Sequence, residues 1–371
     1  MKKLIAISLL LCLLLSGCGA ENGPIPTVPP TEPTQATTEP ATEPATEPPT
    51  EPPTEEPTEA PTEPEPEYRH PLNGQPLDEP LLNRPYAVVH DNDNAQAVPH
   101  WGVGDVDILW EMPHEGGTTR MIGVYSDVSQ TDRFGPTRSV RPYLLSVARS
   151  FGAILVHAGG SPQGYDQLKK TGWDNLDGVQ GPGASNYYKR DKERDVDSWH
   201  TMYITGQNIL KYTTKRGHEN MLDEMADYGF SFDEDVILDG QDATSVEVRF
   251  SKGGKKSVFT FKEDTGDYTM KQLNKSYTDG NTGEAVHFEN ILVLQAKVGV
   301  LDDYGRLYQE LENKSGEGYF ACNGKMISIK WSRGKATDPF VFTDTDGNPI
   351  TLSVGKTYIA VVYKGAPITA E

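Results

Sequence analysis

Two arginines three positions apart, Arg138 and Arg141, precede Pro142, a residue suited to the first turn of a helix. Cations at a helix N-terminus are disfavoured by roughly 0.3–1 kcal/mol each. Two together call for a compensating anion. It is either an internal carboxylate, such as Glu111 or Glu115, or a bound phosphate or carboxylate. Beyond them, His157-Ala-Gly-Gly-Ser161 closes an apolar run. Gly159 and Gly160 permit close backbone approach, Ser161 is an N-cap, and a helix N-terminus holds negative charge. The segment is neither a phosphate-binding loop ending in Gly-Lys-Ser/Thr nor a Gly-x-Ser-x-Gly elbow. His157 is the candidate acid or base, with Glu111 or Glu115 as its partner. The bland alternative is a histidine hydrogen-bonded at a sheet edge beside a capping serine. Asp91 and Asn92, which end another apolar run, together with Arg120, Ser139, His200 and Tyr203 complete the expected ligand-binding set. His90, Asp91, Asp93, His100 and His114 match no standard ligand spacing, so no metal site and no cofactor are expected.

These residues need elements to hold them. Apolar runs at 84–90, 106–112 and 119–126 read as strands, and 153–157 as a buried strand. Residues 143–150 read as a helix stopped by Gly152, and Ser161-Pro162 opens another. Residues 199–205 suit a further strand and 207–228 two short helices. Alternating strands and helices indicate a mixed α/β sandwich, partly parallel, over 68–230. From 231 to 371 short strand-like runs alternate with turns such as Asp344-Thr-Asp-Gly347, which predicts a smaller, mainly-β domain.

The leader and the tether behind it set the location. Lys2 and Lys3 precede an apolar stretch, residues 5–15, too short to span a membrane. It ends in Leu15-Ser16-Gly17-Cys18, which resembles a bacterial lipobox. Residues 1–17 are thus read as a signal peptide and Cys18 as the lipidated residue, carrying acyl chains such as palmitate. Residues 18–67 form a Thr/Glu/Pro-rich tether with 15 of the 28 prolines. An extended, self-repelling chain of this kind reaches about 140 Å at about 3.1 Å per residue. The formal charge of −20 is unevenly placed: setting aside twelve tether glutamates and two leader lysines leaves −10 on residues 68–371. So acidic a folded part argues against nucleic acid as a partner. Of three cysteines only Cys322 lies in the folded part, so no disulfide forms within it.

EGGTTR (115–120), GPTRSVRPY (135–143), HAGGSP (157–162) and the run from Trp331 to Val362 together resemble the YerB-like bacterial lipoproteins, from about Leu82 onward. The resemblance implies a surface location and two domains of unknown function, and no established activity. Where that family has Pro-His-Asn-x-Tyr, this chain has Trp199-His200-Thr201-Met202-Tyr203, keeping His and Tyr only. Two readings remain. The first is a lipid-anchored, extracytoplasmic binding module, held to the membrane through Cys18, whose Arg/Gly/His cluster takes an anionic cell-wall polymer or another envelope protein. The second is an envelope hydrolase or transferase using His157 with Glu111 or Glu115.

Overall fold

The computed structural model describes residues 66–251 and 254–371. The leader, Cys18 and the tether to residue 65 lie outside the described residues. The expected strands are Tyr86–Asn92, Ile108–Pro113, Thr119–Tyr125 and Ile154–His157. They belong to one 11-stranded sheet. Its order runs Gln241–Asp242, Lys325–Arg333, Lys314–Cys322, Asn290–Ala296, Thr357–Tyr363, Ile108–Pro113, Thr119–Tyr125, Tyr86–Asn92, Ile154–His157 and Asn175–Asp177, with Val341–Asp344 beside Lys325–Arg333. Strands from both sides of residue 231 therefore share this sheet. Thr357–Tyr363 lies parallel to Ile108–Pro113 with Ile359 opposite Trp110, and parallel to Asn290–Ala296. Ile154–His157 also pairs in parallel on both sides.

Strict alternation divides the sheet into two buried faces. Ala87, Val89, Trp110, Ile122, Leu292 and Ile359 point one way, against helix α1 (Pro142–Ser150) and helix α2 (Pro162–Thr171). Tyr86, Val88, Met121, Ile291, Val293 and Tyr358 point the other way, against helix α3 (Gly206–Arg216) and a second sheet of six strands. That sheet, all antiparallel, supplies Val246, Phe259, Tyr268 and Phe288. Each such aliphatic or aromatic side chain, fully buried, contributes about 1.5–3 kcal/mol. A sheet buried on both faces explains the near-continuous apolar runs of its inner strands.

The outcome is α+β with less helix than expected: α1, α2 and α3, of 9, 10 and 11 residues, are the α-helices among the described residues. Ser161 caps α2 as read, its Oγ accepting from the Gly164 amide at 3.0 Å. Thr205 caps α3 in the same manner. Where two helices were expected over 207–228, α3 alone forms, because Gly217 takes φ +68° at its C-cap and ends it. The strand expected over 199–205 is shortened to Met202–Ile204 behind a single 3-10 turn, Ser198–His200. Gly206 opens α3 where a Cβ would lie 1.7 Å from the Val128 carbonyl oxygen, so only glycine fits this close approach.

Candidate functional site

Asp91, near the end of the Tyr86–Asn92 strand, and Asp93 just beyond it meet arginines from two positions, and Glu115 meets a third. Arg120 Nη2 donates to Asp93 Oδ1 at 2.8 Å and to His114 Nε2 at 2.8 Å, and Nη1 donates to the Ser139 carbonyl at 3.2 Å. Arg138 Nη2 donates to Asp93 Oδ2 at 3.0 Å, and its Nε lies 3.2 Å from Asp91 Oδ2. Arg141 Nε donates to Glu115 Oε1 at 3.1 Å. Three guanidinium groups thus face three carboxylates. The anion that Arg141 needs at the start of α1 is internal, and Arg141, 8% exposed, is not free for a ligand.

Burial alone would raise the Asp93 carboxyl, but Arg120 beside it, with His114 and Arg138, holds it far below the usual carboxylate range. Glu115 behaves alike: burial opposes ionisation, and hydrogen bonds from His114 and Arg141 outweigh it. His114 Nε2 accepts from Arg120, so its proton sits on Nδ1, which faces Tyr143 Oη at 2.9 Å and Glu115 Oε2 at 2.8 Å. Burial, then Arg120, pushes His114 down to about 4.

The expected catalytic pairing is not assembled. Glu111, fully buried, points into the space between the sheets and accepts five hydrogen bonds. Asn92 Nδ2 (3.1 Å) and Thr119 Oγ1 (2.6 Å) bond Oε1; Ser257 Oγ (2.8 Å), Gln272 Nε2 (2.8 Å) and Tyr358 Oη (2.6 Å) bond Oε2. His157 lies three strands away, about 14 Å at normal sheet spacing, with alternation turning it to the opposite face. Its Nδ1 contacts the Gly159 carbonyl at 2.8 Å and its Nε2 contacts Asn175 Oδ1 at 3.3 Å. Neither glutamate is a hydrogen-bond partner of His157. Both ring nitrogens are thus engaged within the fold.

The glycine turn is also satisfied from within. Gly159, at φ +76°, donates its amide to Asp177 Oδ1 at 2.8 Å. The Val179 amide shares that oxygen, and Tyr165 Oη donates to Asp177 Oδ2 at 2.8 Å. Asp177 thus occupies the place expected for a bound anion, and Ser161 serves α2. Asn92 is locked to Glu111 and to Lys255 Nζ at 3.0 Å. Tyr203 packs against Trp101, ring centroids 5.9 Å apart, beneath the Arg133 guanidinium.

What remains open is a groove of about 260 Å³ bordered by Arg138, Ser139, Gly159, Gly160, Arg190 and Trp199. Trp199 is 51% exposed and Val179 58%. The indole Nε1 of Trp199 donates to His200 Nε2 at 2.9 Å, so His200 carries its proton on Nδ1 and directs it toward Asp91 Oδ2 at 2.5 Å. Asp91 in turn faces Arg138. A hydrogen-bonded chain therefore runs from a buried carboxylate to an exposed aromatic ring. Arg138 Nη1 makes no hydrogen bond among the described residues, and Arg190 makes no ion pair among them. Of the residues expected from the sequence, Arg138, Ser139, Gly159 and Gly160 border this groove and His200 lies behind Trp199; Trp199 and Val179 were not expected there. An aromatic residue in a polar, Arg-bearing loop was the available signal. A larger cavity, about 510 Å³, lies around Lys297, Lys314, Lys330 and Trp331, but Lys297 and Lys314 are both ion-paired to Glu310 there.

Two family models match: the "Protein of unknown function (DUF3048) N-terminal domain" over residues 72–219 and the DUF3048 C-terminal domain over 246–359. The chain is 25% identical over 294 residues to YerB of Bacillus subtilis (strain 168), a protein named as a lipoprotein; the match spans 79% of this chain and 85% of that one. The crystal structure of the Bacillus subtilis YerB protein superposes with a TM-score of 0.71 at 24% identity, covering 82% of this chain and all of that one. That likeness establishes the fold.

Proposed function

We propose, from the premise that this chain belongs to the YerB-like family of bacterial lipoproteins and carries that family's two domains of unknown function, that it is a binding module for an anionic cell-envelope ligand. Likeness to a protein named as a lipoprotein supports membrane association through a lipid anchor, with Cys18 as the residue to carry it and the folded part outside the cytoplasm. Among the described residues no helix is long and apolar enough to cross a membrane.

The observation that carries this reading is the rim of the small groove. A half-exposed tryptophan borders it together with Arg138, which keeps one free guanidinium nitrogen, and Arg190, which has no carboxylate partner among the described residues. An indole face takes the apolar face of a sugar ring, and arginine takes carboxylate or phosphate in a planar fork. Together they suit an anionic wall polymer. The histidine beside the groove, His200, is committed on both nitrogens to Trp199 and Asp91, so it orients the binding surface and has no free nitrogen for proton transfer.

The test uses detergent-solubilised full-length protein on purified cell-wall fragments, with bound fragments weighed by mass spectrometry. Intact fragments should be retained, and Trp199→Ala and Arg190→Ala should each weaken retention by about tenfold while leaving the melting temperature near that of the parent. Cleaved fragments, or retention unaffected by either substitution, would overturn the reading.

A further inference from the structure

The second sheet holds a cluster that the groove does not involve. In it Tyr268 pairs with Phe288 and Thr269 with His287, antiparallel. One more step of that register sets Asp267 opposite Glu289. Tyr268 and Phe288 point into the core, fully buried, so Asp267, His287 and Glu289 share the other face. One ligand atom from each of the three lies within 4.8 Å of the others.

Three features mark the cluster as built for a cation. Asp267 is only 8% exposed, yet its carboxylate has no hydrogen bond or ion pair among the described residues, and it is directed at His287 and Glu289. Two carboxylates directly opposed across a strand pair repel each other. Glu289 is fixed in place: one oxygen accepts from the Lys356 amide, and Gly355, at φ +136°, passes so close that a Cβ there would lie 2.3 Å from the carboxyl carbon.

We propose that Asp267, His287 and Glu289 bind a divalent transition-metal cation of the zinc or manganese type. Carboxylate and imidazole ligands bind such ions at about 2.0–2.2 Å, which needs each side chain to draw inward by less than about 1 Å. Three protein ligands leave a coordination position for water or for a ligand from outside. The site sits on the β-rich segment and is independent of the groove reading. His287-Phe-Glu289 is a spacing that a helix would split and a strand puts on one face.

Chelator-treated full-length protein in detergent should bind one equivalent of Zn²⁺ or Mn²⁺ by calorimetry, and its melting temperature should rise with metal concentration. His287→Ala should weaken binding by more than the roughly 10–100-fold seen for loss of outer-shell partners. Asp267→Asn should weaken binding as well, yet raise the metal-free melting temperature, because it removes the like-charge pair; a merely structural Asp267 would lower it. Metal binding unchanged by His287→Ala would overturn the proposal. So would absence of binding combined with a stabilised Glu289→Gln variant, which would identify a shared-proton carboxyl pair instead.

Discussion

Glu111 and Asp91 lie on strands separated by only one other, and both are fully buried, but they end in different surroundings. Glu111 meets five donors, each from a different strand, and they fill both of its oxygens. Asp91 meets Arg138 and His200, and through His200 it reaches an indole in solvent. A saturated buried network ties sheet to sheet and specifies which surfaces meet. A network with one exposed end instead holds a surface residue in a fixed pose. Both stretches look equally chemical in the sequence. Only the count of donors around each carboxylate separates them.

The sharpest way to break this contrast is Glu111→Ala. It takes away the shared acceptor of five buried donors, of which only Asn92 and Gln272 keep another, Thr119 Oγ1 and Ser257 Oγ, and we expect a loss of about 3–5 kcal/mol, read as a shifted urea midpoint. A loss below about 1 kcal/mol would mean that the inter-sheet network is dispensable. The second way is acid. His90 and His114, both buried, are held down to about 4 by desolvation, with Arg120 also acting on His114. A histidine lowered on folding takes up a proton in the unfolded chain first. Stability is then complete above about pH 6.5 and falls as pH drops toward 4, by up to about 1.4 kcal/mol per pH unit for each histidine. Asp93, lowered chiefly by Arg120, and Glu115, lowered by His114 and then Arg141, extend the loss below about pH 4. Urea midpoints that stay flat between about pH 7 and 4.5 would contradict the neutral, buried histidines.

Arg120→Lys probes the ladder of arginines. The ammonium cannot reach Asp93, His114 and the Ser139 carbonyl together, and a cost of about 2 kcal/mol is expected in thermal melts. The smallest effect belongs to the open end. Trp199→Ala should change stability by no more than about 0.5 kcal/mol, because half the ring is already in water, while reducing ligand retention. A large destabilisation would make Trp199 a packing residue and erase the distinction between the two regions.

Local patterning made the strands around Val88, Trp110 and Ile122 legible, and the caps at Ser161 and Thr205 obey rules of a few residues' reach. The pairing of residues 357–363 with 108–113 was not legible, because no local signal records which strands become neighbours. The same limit governed the site. Arg138 and the glycine pair were visible as residue types, whereas Asp177 filling the glycine turn from 18 residues beyond Gly159 was not. His157 and Glu111 looked like a pair because no local signal records that they occupy opposite faces of the sheet. Asp267, His287 and Glu289 escaped notice because a strand register, not a motif, brings them together.

The placement of Thr357–Tyr363 bears on how such a chain matures. Its two neighbours, Ile108–Pro113 and Asn290–Ala296, each present an unsatisfied row of amides and carbonyls until that strand arrives, and the first of them is made more than two hundred residues earlier. A polypeptide made from its N-terminus therefore cannot complete its central sheet until nearly all of it is available, and residues 357–363 are the latch between the two halves of that sheet.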